Sequence, residues 1–476
     1  MSEKYLLGID EGSQSAKILI FDTKGRIVCE AKHPLKPYVL PRPGYVEHPD
    51  DDWWDAICQA GKKCMDKFEG NPADIVGIGL CTIRYCRAYL DENCMLAQPA
   101  LSWMDVRVSN PYVHENPKVK YITASSGYIT YRLTGEKKDT VANYEGGWPV
   151  DVDTWTWSED PAAYEETGMP RDMLFDLVMP GDVLGYITAE AAEATGFPEG
   201  VPVVATSNDK AVEGLGTGCM GEDTVCLSLG TYTAAMMEGK EFLRNTSSTW
   251  PKFSCVPNKY LYDTWGIRRG MWTVSWFRDV LGEGYAKEAA ARGMSAEEFL
   301  GEEAKSVPVG SNGLMTVLDW LAWVDAPYKK GIMIGFDGRH TRAHIYRSIL
   351  EGVALTMKKY IFDMVEEVGV NIEKVIVTGG GSGSDLFMQI IADVLEIPTV
   401  RNEVNGAAGL GSAICAAVAA GVYPDFETAV ENMVRVSDRF EPIAENSELY
   451  GRMYPIYWDI TNHTDAVLKK SYEIFE

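Results

Sequence analysis

Two carboxylates of this chain sit where phosphate chemistry could use them. Asp10 lies at the end of an apolar run, just before Gly12-Ser13-Gln14-Ser15. A carboxylate there can hold Mg²⁺, directly or through water, beside phosphate oxygens. It can equally stabilise the turn, and Lys17 beyond it reads as a strand-edge cation. Asp209 follows Val201–Thr206 and opens Asp-Lys-Ala-Val-Glu-Gly-Leu-Gly. That is a helix start after a strand, where an Asp is either a cap or a general base aimed into an interdomain cleft.

Two glycine turns share one design. Gly8 to Lys17 and Leu227 to Thr233 each run from an apolar strand through Gly with Ser or Thr into a further apolar run. Such hairpins offer backbone N–H groups and hydroxyls to phosphate, here from Gly12, Ser13, Ser15, Gly230 and Thr231. Either alone would be an ordinary turn. The pair suggests a nucleotide held between two related domains. A third glycine cluster, Gly379-Gly380-Gly381 leading to Ser384, joins a strand to a helix and would let a nucleotide approach the backbone. It lacks the Gly-x-Gly-x-x-Gly spacing of a dinucleotide fold, and no Gly-x-x-x-x-Gly-Lys-Ser/Thr occurs. In the first half, Arg84, Trp103, Asp105 and Arg107 follow short strands. They could grip the hydroxyls of a polyol with Trp103 stacked on its carbon face, or be surface arginines and a core Trp.

The elements that must position these residues are those of an α/β chain. Apolar runs at 5–9, 16–21, 26–33, 75–80, 88–90, 201–206 and 375–378 read as strands. Segments 50–68, 346–367 and 386–395 read as helices, and Ala407–Ala420, rich in Ala and Gly, should pack closely on a neighbour. The alternation implies α/β architecture. The clustered glycines at 218–221 mark a boundary between a domain at 1–218 and one at 219–476. A net charge of −25 argues against nucleic acid and anionic membrane as partners. No signal segment or membrane-length apolar run is visible, so a cytoplasmic protein is expected. Ten scattered cysteines without Cys-x-x-Cys read as reduced, mostly buried thiols. His340 and His344 share helical spacing without an evident third ligand.

The ordered set of motifs resembles the FGGY carbohydrate kinases, of the actin and hexokinase superfamily. The resemblance runs essentially end to end. It is carried by residues 8–17, Gly44-Tyr45-Val46-Glu47-His48-Pro49 with Trp53-Trp54, Ser102-Trp103-Met104-Asp105-Val106-Arg107, Leu133-Thr134-Gly135-Glu136, Asn208-Asp209, Leu229-Gly230-Thr231, Ala326-Pro327-Tyr328, Leu350-Glu351-Gly352 and Gly379–Ser384. It implies two actin-like (ribonuclease H-like) domains with an interdomain cleft, phosphorylation of a sugar by ATP with Mg²⁺, and homodimers as a common assembly.

By this resemblance Asp209 is the base and Asp10 attends the metal. Gly12, Ser13, Ser15, Gly230 and Thr231 hold phosphates, and Gly380, Gly381 and Ser384 lie by the nucleoside. Arg84, Trp103, Asp105 and Lys210 lie near the sugar. Where glycerol kinases show Gln, Arg and Glu, this chain has Ile83, Arg84 and Tyr85. It is most similar to a bacterial subgroup of unassigned sugar. Arg84, Arg87 and Lys210 together suggest an acidic acceptor. The alternatives are a glycerol or short-polyol kinase, a non-catalytic nucleotide-dependent regulator, and a plain ATPase.

Overall fold

The computed structural model of the protein describes residues 3–323 and 325–475. The N-terminal half builds a six-stranded sheet from β1 (Tyr5–Glu11), β2 (Ser15–Asp22), β3 (Ile27–Pro34), β4 (Ile75–Thr82), β5 (Val183–Tyr186) and β6 (Pro202–Asn208). Their order is β5-β6-β4-β1-β2-β3. Strands β1 to β3 form an antiparallel meander, and β4 and β6 add in parallel beside β1. Every residue of β1 is buried, as expected of a strand covered on both faces. Helix α1 (Asp52–Lys67) covers one face with Trp53, Trp54 and Ile57, and its first turn carries Asp52 and Asp55, which suit the positive end of the helix dipole. Helices α2 (Ser125–Thr134) and α3 (Asp209–Thr217) follow.

The C-terminal half builds a seven-stranded sheet from β7 (Thr224–Leu229), β8 (Thr233–Gly239), β9 (Thr249–Phe253), β10 (Tyr260–Thr264), β11 (Lys374–Thr378), β12 (Thr399–Asn402) and β13 (Val436–Phe440). The order is β9-β10-β8-β7-β11-β12-β13. Strand β8 runs antiparallel to both β10 and β7, and β11 and β12 extend β7 in parallel. This repeats the arrangement of β3, β2, β1, β4 and β6, so the two actin-like units are present as expected. The helices of this half include α4 (Gly270–Ala290), α5 (Arg342–Val368), α6 (Asp385–Leu395), α7 (Ala407–Ala419) and the long α8 (Ala444–Phe475).

Helix α7 belongs to the second half in sequence but packs on β1, β4 and β6 of the first sheet and against α3. The approach is backbone to backbone. A β-carbon on Gly8 would overlap the carbonyl oxygen of Gly409, one on Gly79 that of Ser412, one on Gly216 that of Ala407, and one on Gly411 that of Val212. The Ala/Gly composition of α7 is therefore a packing requirement. One apolar cluster runs through the joint, from Leu6, Val204 and Val212 to Met236, Leu410 and Ile414. All ten cysteines are buried and unpaired.

Gly79→Ala should cost about 1–3 kcal/mol, the usual range for overpacking a filled site, because the obstacle is a carbonyl that cannot rotate away. Gly451→Ala, in an exposed turn of α8 with nothing within 4 Å of the new methyl, should be neutral or stabilising. Urea unfolding of the two variants beside the parent checks the contrast.

Candidate active site

The residues of interest emerge at the carboxyl ends of neighbouring strands, where open α/β sheets bind ligands. Asp10 pairs with Cys81 across β1 and β4, and Asn208 pairs with Thr82 across β6 and β4. Asp10, Arg84 and Asp209 thus leave three adjacent strands on one side. In the second sheet Ser228 pairs with Thr378, so the Gly230 turn and the Gly379–Gly381 junction emerge side by side. Gly379 has φ +86°, and a β-carbon there would lie 2.6 Å from the Leu229 carbonyl oxygen. Glycine is needed both for the conformation and for the contact.

The turns differ in what they present. The Gly12 N–H closes its own hairpin on the Ser15 carbonyl at 3.1 Å, and Ser15 is buried in β2. Ser13 is partly exposed and Thr231 is exposed, so these two present accessible hydroxyls. Gly380 has open space on its β-carbon side. Ser384 caps α6, its hydroxyl accepting the Phe387 N–H at 3.3 Å. Asp10 pairs with Lys17 Nζ at 3.0 Å.

Around Asp209 the sequence left cap and base open. The N-cap of α3 is Asn208, whose Oδ1 accepts the N–H groups of Lys210 and Ala211 at 3.2 and 3.1 Å. Asp209 itself accepts the Lys210 N–H at 3.1 Å, and its Oδ1 lies 3.6 Å from Arg84 Nε. Burial raises its pKa above the ordinary carboxylate value; Arg84 and Lys210 pull it down, while Glu213 and Asp10 push it up.

Arg84 bridges the two halves. Its Nη1 donates to Asp263 Oδ2 on β10 at 2.9 Å, and the same oxygen pairs with Lys252 on β9. Although burial disfavours its charge, Asp263 is held at about 2 by Lys252 and Arg84. A second bridge runs from Glu145, which accepts the Phe253 N–H at 2.7 Å and the Asn208 amide at 3.4 Å. Burial pushes Glu145 up to about 7 against the pull of Lys252 and Arg84.

A cavity of about 660 Å³ opens beside this network, lined from the first half by Tyr85, Trp103, Glu145 and Trp148 and from the second by Trp250, Lys252 and Trp265, among others. Asp209 does not itself line it. The cavity reaches the network through Tyr85, next to Arg84, and through Lys252 and Glu145.

Three expectations meet a different geometry. The Asp105 side chain has no exposed surface. It accepts the Val46 N–H at 2.7 Å and three N–H groups of Arg107 at 2.7–2.9 Å. Arg107 continues to Glu47 at 2.7 Å and covers the Tyr45 ring. Asp105 therefore anchors the loop that holds Trp103 at the cavity, because its one-residue spacing from Arg107 closes a cap. Lys210 turns to Glu213 and to Ser228 on β7, at 2.7 and 3.0 Å, on the side of the Gly230 turn. The three cations that suggested an acidic acceptor are all committed: Arg84 and Lys210 as above, and Arg87 to the carbonyls of Arg107, Val108 and Asn110. Glu145, Lys252 and Asp263 carry no motif. The only sequence trace of Asp263 is a lone carboxylate ending the apolar run Tyr260–Tyr262.

Two repeated sheets, each carrying a glycine turn, with a carboxylate at the joint suit a two-domain phosphotransferase. The model of the N-terminal domain of the FGGY family of carbohydrate kinases matches residues 5–116 and 110–216, and that of the C-terminal domain matches 225–420. The chain belongs to this family, phosphotransferases that act on sugar hydroxyls. It is 54% identical to the Escherichia coli (strain K12) protein named "Uncharacterized sugar kinase YgcE", over 100% of this chain and 96% of that one. It is 23% identical to the xylulose kinase of Bacillus subtilis (strain 168), over 97% of each. Its fold is similar to the crystal structure of xylulose kinase from Rhodospirillum rubrum, with TM-score 0.81, 22% identity and coverage of 98% of this chain and 100% of that one. Among the described residues no helix is long and apolar enough to cross a membrane.

Asp263→Ala would strand two buried cations and should cost about 3–5 kcal/mol, the range for breaking a buried pair. Because Asp263 is depressed to about 2 in the folded state against about 3.9 unfolded, its contribution is complete above about pH 4 and disappears as pH falls through about 2. Urea titrations of parent and variant should converge over that interval.

Proposed function

We propose that the protein transfers the γ-phosphoryl group of ATP to a sugar hydroxyl, with Asp209 as general base. The observation that carries this reading is the division of labour at the start of α3. Asn208 caps the helix, so the Asp209 carboxylate is not needed for capping. It points to Arg84, within the electrostatic reach of Asp10, and Arg84 adjoins Tyr85, which lines the aromatic cavity. The half at 1–218 would bind the sugar and the half at 219–476 the nucleotide.

The acceptor hydroxyl gives its proton to Asp209 as its oxygen bonds to the γ-phosphorus, and the bond to the bridging oxygen breaks with ADP as leaving group. Ser13 and Thr231, with the backbone of Gly230, hold the phosphates, while Gly12 closes the turn that presents Ser13. Gly380, open on its β-carbon side, accepts the nucleoside against bare backbone, Gly381 is buried under Leu229 and shapes the junction, and Ser384 fixes the helix beside it. Trp103 stacks on the sugar, held in place by Asp105, while Arg84 sets the charge of the base. Asp10 is the carboxylate suited to Mg²⁺. No group of three or more His, Cys, Asp or Glu able to hold a metal occurs among the described residues, which fits a Mg²⁺ held by one carboxylate plus phosphate and water. When bound, the ion neutralises charge on the β- and γ-phosphates.

Asp209→Asn should lower turnover by roughly 10²–10⁴-fold, the usual worth of a general base, while MgATP still binds by calorimetry. Turnover within a few-fold of the parent would remove Asp209 from the role. Arg84→Met should move the acid limb of kcat/KM to higher pH. The guanidinium lowers the Asp209 pKa, so its removal leaves the base protonated to a higher pH. Arg84→Lys should restore part of the shift.

A further inference from the structure

The cavity is larger than one sugar ring needs, and its walls suit a second. At about 660 Å³ it falls within the roughly 300–1,000 Å³ of pockets that enclose drug-sized ligands, whereas a pentulose or hexulose has only about a dozen non-hydrogen atoms. The nucleotide does not claim the space, since neither glycine turn nor the triple glycine lines it. Nor does the room come from halves standing apart. They are tied at the cavity's inner end by Arg84 to Asp263 and by Glu145 to Phe253. They are tied again by Trp155 Nε1 donating to Tyr260 Oη at 3.1 Å, with Trp155 inside the second half's apolar core.

The rest of the lining sets aromatic rings among hydroxyls of Ser109, Thr246, Ser247 and Thr249. Trp103 and Trp148 come from the first half, and Phe242, Trp250 and Trp265 from the second. Trp103 is 48% and Trp250 50% exposed. One such indole would be ordinary surface, but two of them open onto one cavity from opposite halves. Trp250 is braced edge-on against Trp265 at 5.1 Å, and Trp265 in the same way against Trp323 at 5.1 Å. The second-half wall is therefore built ring against ring. Flat, braced indoles with exposed faces take up apolar ring faces at low entropic cost.

We infer that the acceptor is a sugar carrying a second ring. The reacting ring would lie by Trp103 and Arg84, and the second ring would stack in an outer subsite made by Trp250, Trp265 and Phe242. A disaccharide and an aryl glycoside share this chemistry. The inference rests on the kinase reading, because the inner end is identified by Asp209 and Arg84.

The test compares free ketoses, aldoses and polyols with disaccharides and nitrophenyl glycosides of the same sugars. The readouts are acceptor-dependent ADP release and quenching of tryptophan fluorescence in the full chain, in the parent, Trp250→Ala and Trp250→Phe. A two-ring acceptor should exceed its one-ring parent at least tenfold in kcat/KM. Trp250→Ala should remove most of that advantage through KM, and Trp250→Phe should keep it. The disaccharide and glycoside arms tell which second ring is used. One-ring acceptors turned over as well as every two-ring derivative, or an advantage untouched by Trp250→Ala, would overturn the inference and leave the kinase standing. Saturable quenching by two-ring sugars without ADP release would keep the subsite and overturn the kinase reading. No quenching and no release with two-ring sugars would overturn the subsite.

Discussion

The whole arrangement depends on a backbone contact. Helix α7 lies on β1 and β4 and against α3 with no side chain between, at Gly8, Gly79, Gly216 and Gly411. Close packing of this kind is unforgiving, because carbonyls cannot change rotamer to make room. It fixes a helix of the second half to the sheet that carries Asp10 and to the helix that Asp209 opens. The carboxyl ends of both sheets are thereby brought to one place. A looser joint with ordinary side chains would hold the sheets further apart and separate the carboxylates from the glycine turns.

Across the joint the halves meet through charge. Arg84 from the first sheet reaches Asp263 on the second, Lys252 shares that carboxylate, and Asp209 lies on the other side of the guanidinium. Such a network gives little net stability compared with apolar packing. Its consequence here is electrostatic: a fixed positive group beside a buried carboxylate pulls the Asp209 pKa down against the rise that burial causes. It also couples Asp209 to the second half, since Asp263 and Lys252 orient the guanidinium beside it. Glu145 adds a second coupling, joining the residue before Asp209 to β9.

Much of the fold was legible in the sequence, and for definite reasons. Strands β1, β2, β4, β6 and β11 are unbroken apolar runs, so their ends were found to within two residues. The glycine turns were legible because turn chemistry is local, and the small-residue stretch at 407–420 announced close packing. Strands β9 and β10 were not found, since Trp250-Pro251-Lys252 and Tyr262-Asp263 place polar or cyclic residues where a period would be sought. Glu145 and Asp263 were missed because their partners Phe253 and Arg84 lie more than a hundred residues away across the joint, and Lys252 because it is placed only by pairing with Asp263 on the neighbouring strand. The contacts of Asp105 were hidden for a different reason. Its motif was recognised, but the role followed from a cap closed on Arg107 and on the backbone of Val46, which the spacing alone does not reveal. The expectation of two related domains came from pairing the turns, and the duplicated sheets explain why the pair exists.

The central claim is that the joint assembles one closed site in which phosphate passes to a bound hydroxyl and water does not compete. The most direct measurement is the fate of label from ATP labelled at its γ-phosphate, followed with the parent protein, Mg²⁺ and a saturating acceptor. The account predicts that label appears in the sugar phosphate, with inorganic phosphate a small fraction of it. Label passing to inorganic phosphate at the same rate with and without acceptor would contradict it.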